Sequence, residues 1–572
     1  MGAVGALDRT SPGAGRWIAR PWVDLVVGCG GWSLPLLAVA YLLTRQSVQL
    51  WTGAFYSIAL VANYPHYMAT VYRAYGARDR SAHRLYTVYL TAALVAAGVA
   101  AHVDPRLVPL LFTAYVTWSP WHYTGQNYGL LMMFLRRGGA EVGVRERRAL
   151  KAAFVASYVM LLATFQEGTS PDPLVLSLGL PAWLTRGVAG VAGAVFVAGG
   201  VGALWSLRRR APAGALTAPL VLYSTQGFWF VVPIAIAWLT SAPTPQARYS
   251  AGVLAVMHAA QYLWITQYFA RREQGDAWSG ARYWTVVFLG GMALFLPVPW
   301  IASLGAGVDF TTSALIVASV VNLHHFMVDG VVWKLRDPRV ARALTSTEPS
   351  SAPTPVAPGA GPWPRVAAVG AAVALVALAG LDQVRYWLSL RESDPSALRA
   401  AARLNPYDEG VQGRLVQAIL ERGDLEGARQ ALDDAIRRAP RAAAAHVNAG
   451  VLAQRMGRFD DAARHWREAV ALAPGDVQVR LYLAELLQGQ GAAAEAAIHY
   501  RAYLEHVAAT GGPAANEPAT VAKVVLNFAD ALDASGHPDE ARMNYELAAK
   551  VARSAGLGDL ERTARGRLVQ AP

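Results

Sequence analysis

Histidine recurs at nearly one depth in four apolar stretches of this chain: His66 in NYPHYM, His122 in WSPWHYTGQNYG, His258 in VMHAAQYLW, and the pair His324 and His325 in VNLHHFMVDG. Ionisable side chains are costly inside a bilayer and turn toward the bundle interior, where they line a pathway or a site. Neutral imidazole is a ligand for zinc, copper, iron and nickel, so five imidazoles in one layer point to a buried metal or cofactor centre. His66 precedes the basic residue Arg73 by 7 positions, His325 precedes Lys334 by 9, His258 precedes Arg271 by 13 and His122 precedes Arg136 by 14. At a helical rise of 1.5 Å per residue this spread is about 10 Å, a difference that helix tilt absorbs.

Each histidine has a polar neighbour three or four residues away: Asn63 for His66, Gln126 for His122, Gln261 for His258, and Asn322 and Asp329 for His325. Residues at these spacings stack on one helix face, as expected of groups that hold a metal-ligating imidazole in one tautomer. The expected ligands are therefore His66, His122, His258 and His325, oriented by Asn63, Gln126, Gln261 and Asn322. His324 is expected as a spare ligand or proton relay, and Asp329 as an orienting or acid/base group. Non-haem iron is the expected cofactor, with haem as the alternative because two histidines on facing helices suffice for axial ligation. Read singly, each histidine is equally a helix-packing hydrogen-bonder. His83 and His102 lie outside the layer and read as bystanders. Pro65 and Pro120, each just before a histidine-bearing turn, are expected to break their helices and free backbone carbonyls. Tyr64, Tyr67, Trp118, Trp121, Tyr123, Tyr128, Tyr262, Trp264 and Phe326 crowd the same segments and supply candidate walls for an elongated lipid or isoprenoid.

No HExxH, HxxxH, HxxHH or GxSxG motif is present, which removes the familiar zinc-protease, desaturase and serine-hydrolase signatures. The layout of four histidines among helices resembles that of histidine-rich integral membrane oxygenases, including bacterial carotene-cleaving enzymes. The motifs around the histidines differ from that family's, and the membrane half is assigned to no family.

The elements that must position these residues are apolar helices. The chain has 572 residues, 54% of them hydrophobic and 16% charged, too apolar for one soluble domain and too long for one core. Spans are expected at roughly 22–44, 50–71, 85–103, 107–134, 149–166, 183–206, 216–239, 248–270, 283–304, 312–333 and 365–388, ten or eleven in all. The first is read as a retained anchor. Arginine and lysine alternate from loop to loop, abundant near Arg73, Arg136, Arg208, Arg271 and Lys334 and sparse between. By the positive-inside rule the N-terminus is cytoplasmic and the region after the last span is outside, periplasmic in a bacterial inner membrane. The net charge of +12 thus reflects topology, and nucleic acid is not an expected partner. Cys29 is the only cysteine, so neither a disulfide framework nor a cysteine zinc site is available.

The domain reading is a membrane domain over 1–340, a Pro/Ser/Ala-rich linker over 341–364, a last transmembrane helix over 365–388 and a soluble region over 394–569. In that region Pro406, Pro440 and Pro474 lie 34 residues apart, as do Gly423, Gly457 and Gly491, and Ala428, Ala462 and Ala496. Small residues at Gly450 and Ala484 alternate with bulky ones at Leu432, Trp466 and Tyr500. A fourth unit carries Gly536, Ala541, Tyr545 and Ala548 after an insertion near HVAATGGPAANEP. This stretch resembles the tetratricopeptide repeat family, departing from it at Val416, where a small residue belongs. The resemblance implies a concave surface for protein partners and no chemistry of its own. His446, His465, His499, His506 and His537 there read as surface or packing residues.

The fold class expected is thus all-α, a polytopic helical bundle followed by a helical solenoid. The function expected is a membrane enzyme whose histidine-held iron oxidises or desaturates a lipidic or isoprenoid substrate within the bilayer, with protein partners docked on the repeats. The alternatives are a membrane glycosyltransferase or glycan-assembly protein, a haem-binding membrane protein, and a non-catalytic scaffold.

Overall fold

The computed structural model of the protein describes residues 16–33, 35, 58, 61–76, 85–168, 170, 174–240, 254–275, 278–333, 340, 344, 362–510 and 518–570. Among the described residues the chain is helical, with one isolated bridge between Glu167 and Leu180 and no extended sheet. It divides into two compact units, Met1–Ile301 with Thr312–Asp382, and Ala302–Thr311 with Gln383–Pro572.

The first unit contains α1 (Asn63–Gly76), α2 (Leu85–Val103), α3 (Val108–Arg137), α4 (Val144–Phe165), α5 (Ala182–Arg208), α6 (Thr217–Leu239), α7 (Ala255–Gln274), and most of α8 (Gly280–Ala306), α9 (Phe310–Val332) and α10 (Pro362–Ser389). Seven described helices are long and apolar enough to cross a membrane: α2, α4, α5, α6, α8, α9 and the Val369–Ser389 part of α10. This is fewer than the ten or eleven spans expected, for two reasons. Parts of the expected spans at 22–44 and 50–71, and the start of that at 248–270, lie outside the described residues, as do the linker over 341–364 apart from Leu344 and the start of α10, the repeat insertion over 511–517, and His83. The helices α3 and α7 are long enough but too polar, because α3 carries Ser119, His122, Thr124, Gln126 and Asn127 and α7 carries His258 and Gln261 and ends in Arg271 and Arg272. Two of the helices that carry a cluster histidine, α3 and α7, are therefore less like membrane spans by composition than α9, which carries His325 and Asp329.

The expected break at Pro120 does not occur. Helix α3 runs unbroken from Val108 to Arg137 with Pro120 inside it; the proline removes one backbone donor while the packed helix on both sides holds the axis. Pro65 sits in the first turn of α1, where proline is tolerated, and the next residue, His66, donates its N–H to the Ala62 carbonyl at 3.1 Å. Glycine decides how α1 is approached. A Cβ on Gly291 of α8 would lie 2.5 Å from the Tyr64 carbonyl oxygen and 3.0 Å from the Pro65 nitrogen, so the α8 backbone rests directly on the turn that presents His66.

The second unit begins with the end of α10 and continues as α11 (Pro395–Leu404), then the helical hairpins α12 (Glu409–Leu420) with α13 (Leu425–Arg438), α14 (Ala443–Arg455) with α15 (Phe459–Leu472), α16 (Val477–Gly489) with α17 (Ala493–Thr510), and α18 (Pro518–Ala534) with α19 (Pro538–Ser554), closed by α20 (Gly558–Gln570). Gly423, Gly457, Gly491 and Gly536 all adopt φ between 72° and 83° at the hairpin turns, the left-handed helix stop that glycine accepts without strain. Within each hairpin, two buried residues 16 apart trade size: Val416 with Leu432, Gly450 with Trp466, Ala484 with Tyr500 and Ala529 with Tyr545. Val416 is thus accommodated because its partner is Leu432 in the same core cluster rather than an aromatic ring.

The stretch Ala302–Thr311 joins this unit through hydrogen bonds. Phe310 donates its N–H to the Tyr407 carbonyl at 3.0 Å, Glu409 donates its N–H to Asp309 Oδ1 at 3.2 Å, and Asn405 Nδ2 donates to Ser303 Oγ at 3.3 Å. Buried Arg385 pairs with Asp408 and covers the Phe310 ring at 3.9 Å. Burial, then the neighbouring Asp309 charge, pushes the Glu409 carboxyl up to about 7.

Two outcomes follow from this unit. A Cβ on Gly450 would lie 2.3 Å from Trp466 Nε1, so Gly450→Val should cost about 1–3 kcal/mol by overpacking, and adding Trp466→Leu should restore part of the loss in urea melts of the full chain. The folded state holds the Glu409 proton more tightly than the unfolded chain, whose carboxyl titrates near ~4.3. Its contribution to stability is therefore complete below that pH and lost as pH rises through about 7. The melting midpoint should fall between pH 5 and 8, and Glu409→Gln should flatten that dependence.

Candidate metal centre

Four helices of the first unit each bring one histidine to a common point: His66 from α1, His122 from α3, His258 from α7 and His325 from α9. His66 Nε2 and His325 Nε2 are 3.1 Å apart. The His122 ring centroid lies 4.8 Å from that of His258 and 4.9 Å from that of His325, and the His66 and His258 centroids are 5.3 Å apart. The ligand atoms of His66, His258 and His325 all fall within 4.8 Å of one another, and so do those of His122, His325 and Asp329. Two such triads share His325.

Polar neighbours orient two of the rings. His66 Nδ1 lies 2.7 Å from the Asn63 carbonyl oxygen, an acceptor only, so Nδ1 carries the proton and Nε2 turns its lone pair to the cluster. His325 Nδ1 lies 2.8 Å from Thr70 Oγ1. Thr70 Oγ1 is also 2.7 Å from the Tyr262 hydroxyl and 3.3 Å from Asp329 Oδ1, while Tyr262 donates to Asp329 Oδ1 at 2.7 Å and accepts from Trp333 Nε1 at 3.1 Å. When Thr70 gives its single proton to Tyr262, His325 must donate from Nδ1, and two imidazole lone pairs then face each other at 3.1 Å. A cation between them relieves that repulsion. Two nitrogens bound to one ion at about 2.1 Å each and at a right angle are about 3.0 Å apart.

The other two rings have unmet nitrogens. Neither Nδ1 nor Nε2 of buried His258 has a hydrogen-bond partner, and neither does His122 Nε2. The walls are aromatic: Tyr123 lies 4.6 Å from the His258 centroid, Phe326 stacks on His122 at 4.6 Å, and Tyr262 stands 5.3 Å from His325. Of the other aromatics singled out in the sequence, Tyr67 lies against His66, whereas Trp118 and Trp121 are exposed and Trp264 packs elsewhere against Gly28 and Asp24. On the Trp333 side, the Arg73 guanidinium is sandwiched between the Phe269 and Trp333 rings at 3.7 Å each.

Two expectations are corrected by the geometry. His324 does not face the cluster; its Nε2 lies 3.0 Å from Thr91 Oγ1 on α2, because adjacent helical residues point about 100° apart. The four amide side chains do not serve as the orienters expected. Asn63 acts through its backbone carbonyl, Gln126 binds the His258 carbonyl and Gln261 Oε1, Gln261 reaches the Gly28 carbonyl, and Asn322 accepts from Tyr67. Side chains one turn apart on a helix lie alongside each other, and across a packed interface the neighbouring helix is nearer. The orienting roles at His325 fall instead to Thr70 and Tyr262, one on each of two other helices. Their only sequence signal is position: Thr70 and Tyr262 each lie four residues after a cluster histidine.

Comparison with known proteins bears on the second unit alone. Residues 414–454 and 447–513 match the tetratricopeptide repeat family. The C-terminal unit carries tetratricopeptide repeats. They are a protein-interaction array of stacked hairpins, and no family match falls in the N-terminal half. No curated protein matches the chain in sequence. Among solved structures, a chain of a Naa15/Naa10 complex bound to HypK-THB is 13% identical, covering 89% of this chain and 79% of that chain at a TM-score of 0.21, which does not amount to a shared fold. Within the repeats, His446 Nδ1 faces His465 Nδ1 at 3.4 Å.

Thr70→Val should leave the Tyr262 hydroxyl and His325 Nδ1 without their shared partner in a dry site. The cost is about 1–3 kcal/mol, read as a lower thermal midpoint in detergent, while Thr70→Ser should stay near the wild type.

Proposed function

We propose that the N-terminal unit is a membrane-embedded, metal-dependent oxidoreductase with an iron ion held by His66, His122, His258 and His325. The observation that carries this reading is His258, whose two ring nitrogens are buried without a hydrogen-bond partner beside three other imidazoles. An unmet buried polar group costs about 1–3 kcal/mol, and four helices converging to bury several such atoms at one point is an arrangement that a cation stabilises. Rings approaching from four helices around a 3.1 Å contact favour a bare ion over a porphyrin, which needs a slot between two axial ligands.

Seven apolar helices fit a membrane protein, and the substrate we infer is lipidic or isoprenoid, reaching the centre from the bilayer past Tyr67, Tyr123 and Phe326. Iron there would activate oxygen or polarise the substrate. The alternation of basic loops supports a cytoplasmic N-terminus and a repeat unit outside a bacterial inner membrane, where the repeats dock a protein partner.

Metal analysis and the visible spectrum of detergent-purified protein test the reading, wild type beside a variant carrying both His122→Ala and His325→Ala. The expected result is one iron per wild-type chain, without a Soret band, and none in the double variant. Wild-type protein that takes up no metal on reconstitution would overturn it.

A further inference from the structure

We infer that Asp329 is a fifth ligand of this centre, binding through Oδ2, and that Tyr262 and Thr70 are the positioning residues that aim it. The inference rests on the metal-centre reading above and specifies the donor set of that site.

The two carboxylate oxygens of Asp329 have different surroundings. Oδ1 is tied down, accepting from the Tyr262 hydroxyl at 2.7 Å, with Thr70 Oγ1 beside it at 3.3 Å. Oδ2 is turned the other way, 3.6 Å from His325 Nε2 and 3.8 Å from His122 Nε2. Both separations exceed a hydrogen bond. They do suit two donors on one ion: with bonds of about 2.1 Å, ligand atoms stand about 3.0 Å apart at a right angle and about 4.2 Å apart when opposed. The same interval contains the 3.1 Å between His66 Nε2 and His325 Nε2. His325 Nε2 therefore stands at ligand spacing from both an imidazole nitrogen and a carboxylate oxygen.

Charge gives an independent reason for a carboxylate here. Four neutral imidazoles leave a dication with its full charge in an apolar, water-poor interior, where uncompensated charge is expensive. One carboxylate halves it. Of the buried acidic residues described in the first unit, Asp24 is held by the Ile18 and Ala19 N–H groups and Trp264, and Asp382 lies on α10; Asp329 is the one whose carboxylate stands beside the cluster histidines. A set of four nitrogens and one hard oxygen is unlike the closed tetrahedral sites of zinc and suits iron(II) with one remaining position for a small ligand.

The test is anaerobic titration of the detergent-solubilised full chain with ferrous ion. Metal content is read after dialysis, and the electron paramagnetic resonance spectrum is taken after adding nitric oxide. Relative to wild type, Asp329→Asn should weaken iron binding about tenfold or more and change the spectrum of the loaded protein. Tyr262→Phe should keep one iron while shifting the spectrum, and Asp329→Glu should recover part of the affinity. Asp329→Asn that binds iron within twofold of wild type with an unchanged spectrum would overturn the inference and leave the histidine centre standing. Wild-type protein that binds no ferrous ion would remove both. If Asp329→Asn does not melt cooperatively, Asp329→Glu decides: an altered spectrum with iron retained supports the carboxylate ligand, and an unchanged spectrum overturns it.

Discussion

An imidazole carried into an apolar helix bundle must find partners for two nitrogens where no bulk water can supply them, and the first unit is arranged around that requirement. Each unmet polar group there costs as much as a sizeable part of a domain's net stability. His66 meets half of the demand within its own helix turn, through the Asn63 carbonyl, and His325 meets half through Thr70 on a neighbouring helix. What remains is a set of nitrogens directed at one another. That set is stable only if the four helices bring a cation, or a particular pattern of protons, into the space between the rings. The position of α1 follows from the same need, since the bare backbone at Gly291 lets α8 press against the turn holding His66.

The centre was legible in the sequence to the extent that its cost was legible. Histidine in an apolar stretch is rare and expensive, so His66, His122, His258 and His325 stand out without any knowledge of helix order, and counting depth from basic residues places them in one layer. The groups that orient them were not legible. Thr70 and Tyr262 are ordinary residues for a membrane helix, and their roles depend on which helices are neighbours, which spacing along one helix does not encode. Amide residues three or four positions from each histidine were the natural local guess. They instead stitch helices together: Gln261 holds the turn around Gly28 to α7, and Asn127 and Gln226 form a separate buried network with Thr124 and Ser157. The neighbouring His324 shows the limit of counting residues, because one step along a helix moved it from the cluster to Thr91.

In the second unit the opposite holds, because its information is periodic. A 34-residue repeat fixes hairpin, turn and stacking at once, each repeat contacting its neighbours alone. The local exceptions are volume trades. Val416 breaks the small-residue rule and is compensated by Leu432, whereas the largest side chain, Trp466, faces a glycine. Close packing forces this complementarity, since interiors tolerate neither a void nor an extra methylene cheaply. The stretch Ala302–Thr311 is the part of this unit that periodicity cannot reveal, being brought to Tyr407 and Glu409 by hydrogen bonds rather than by the repeat.

On the proposed reading, the two halves of the chain solve different physical problems. Chemistry on a molecule dissolved in the bilayer requires a dry site, aromatic walls and few fixed charges, and those features leave little exposed polar surface for recognising a protein. Recognition of a protein partner requires a broad, solvated and stable surface, which stacked hairpins supply without any buried polar centre. Placing both functions on one bundle would set them against each other, because each charged contact added for a partner raises the cost of inserting the helices that hold the histidines. Separate units remove that conflict. On the proposed reading, the repeats are free to change their surface residues while the positions around His258, Thr70, Tyr262 and Asp329 stay fixed by the partners that their buried atoms demand.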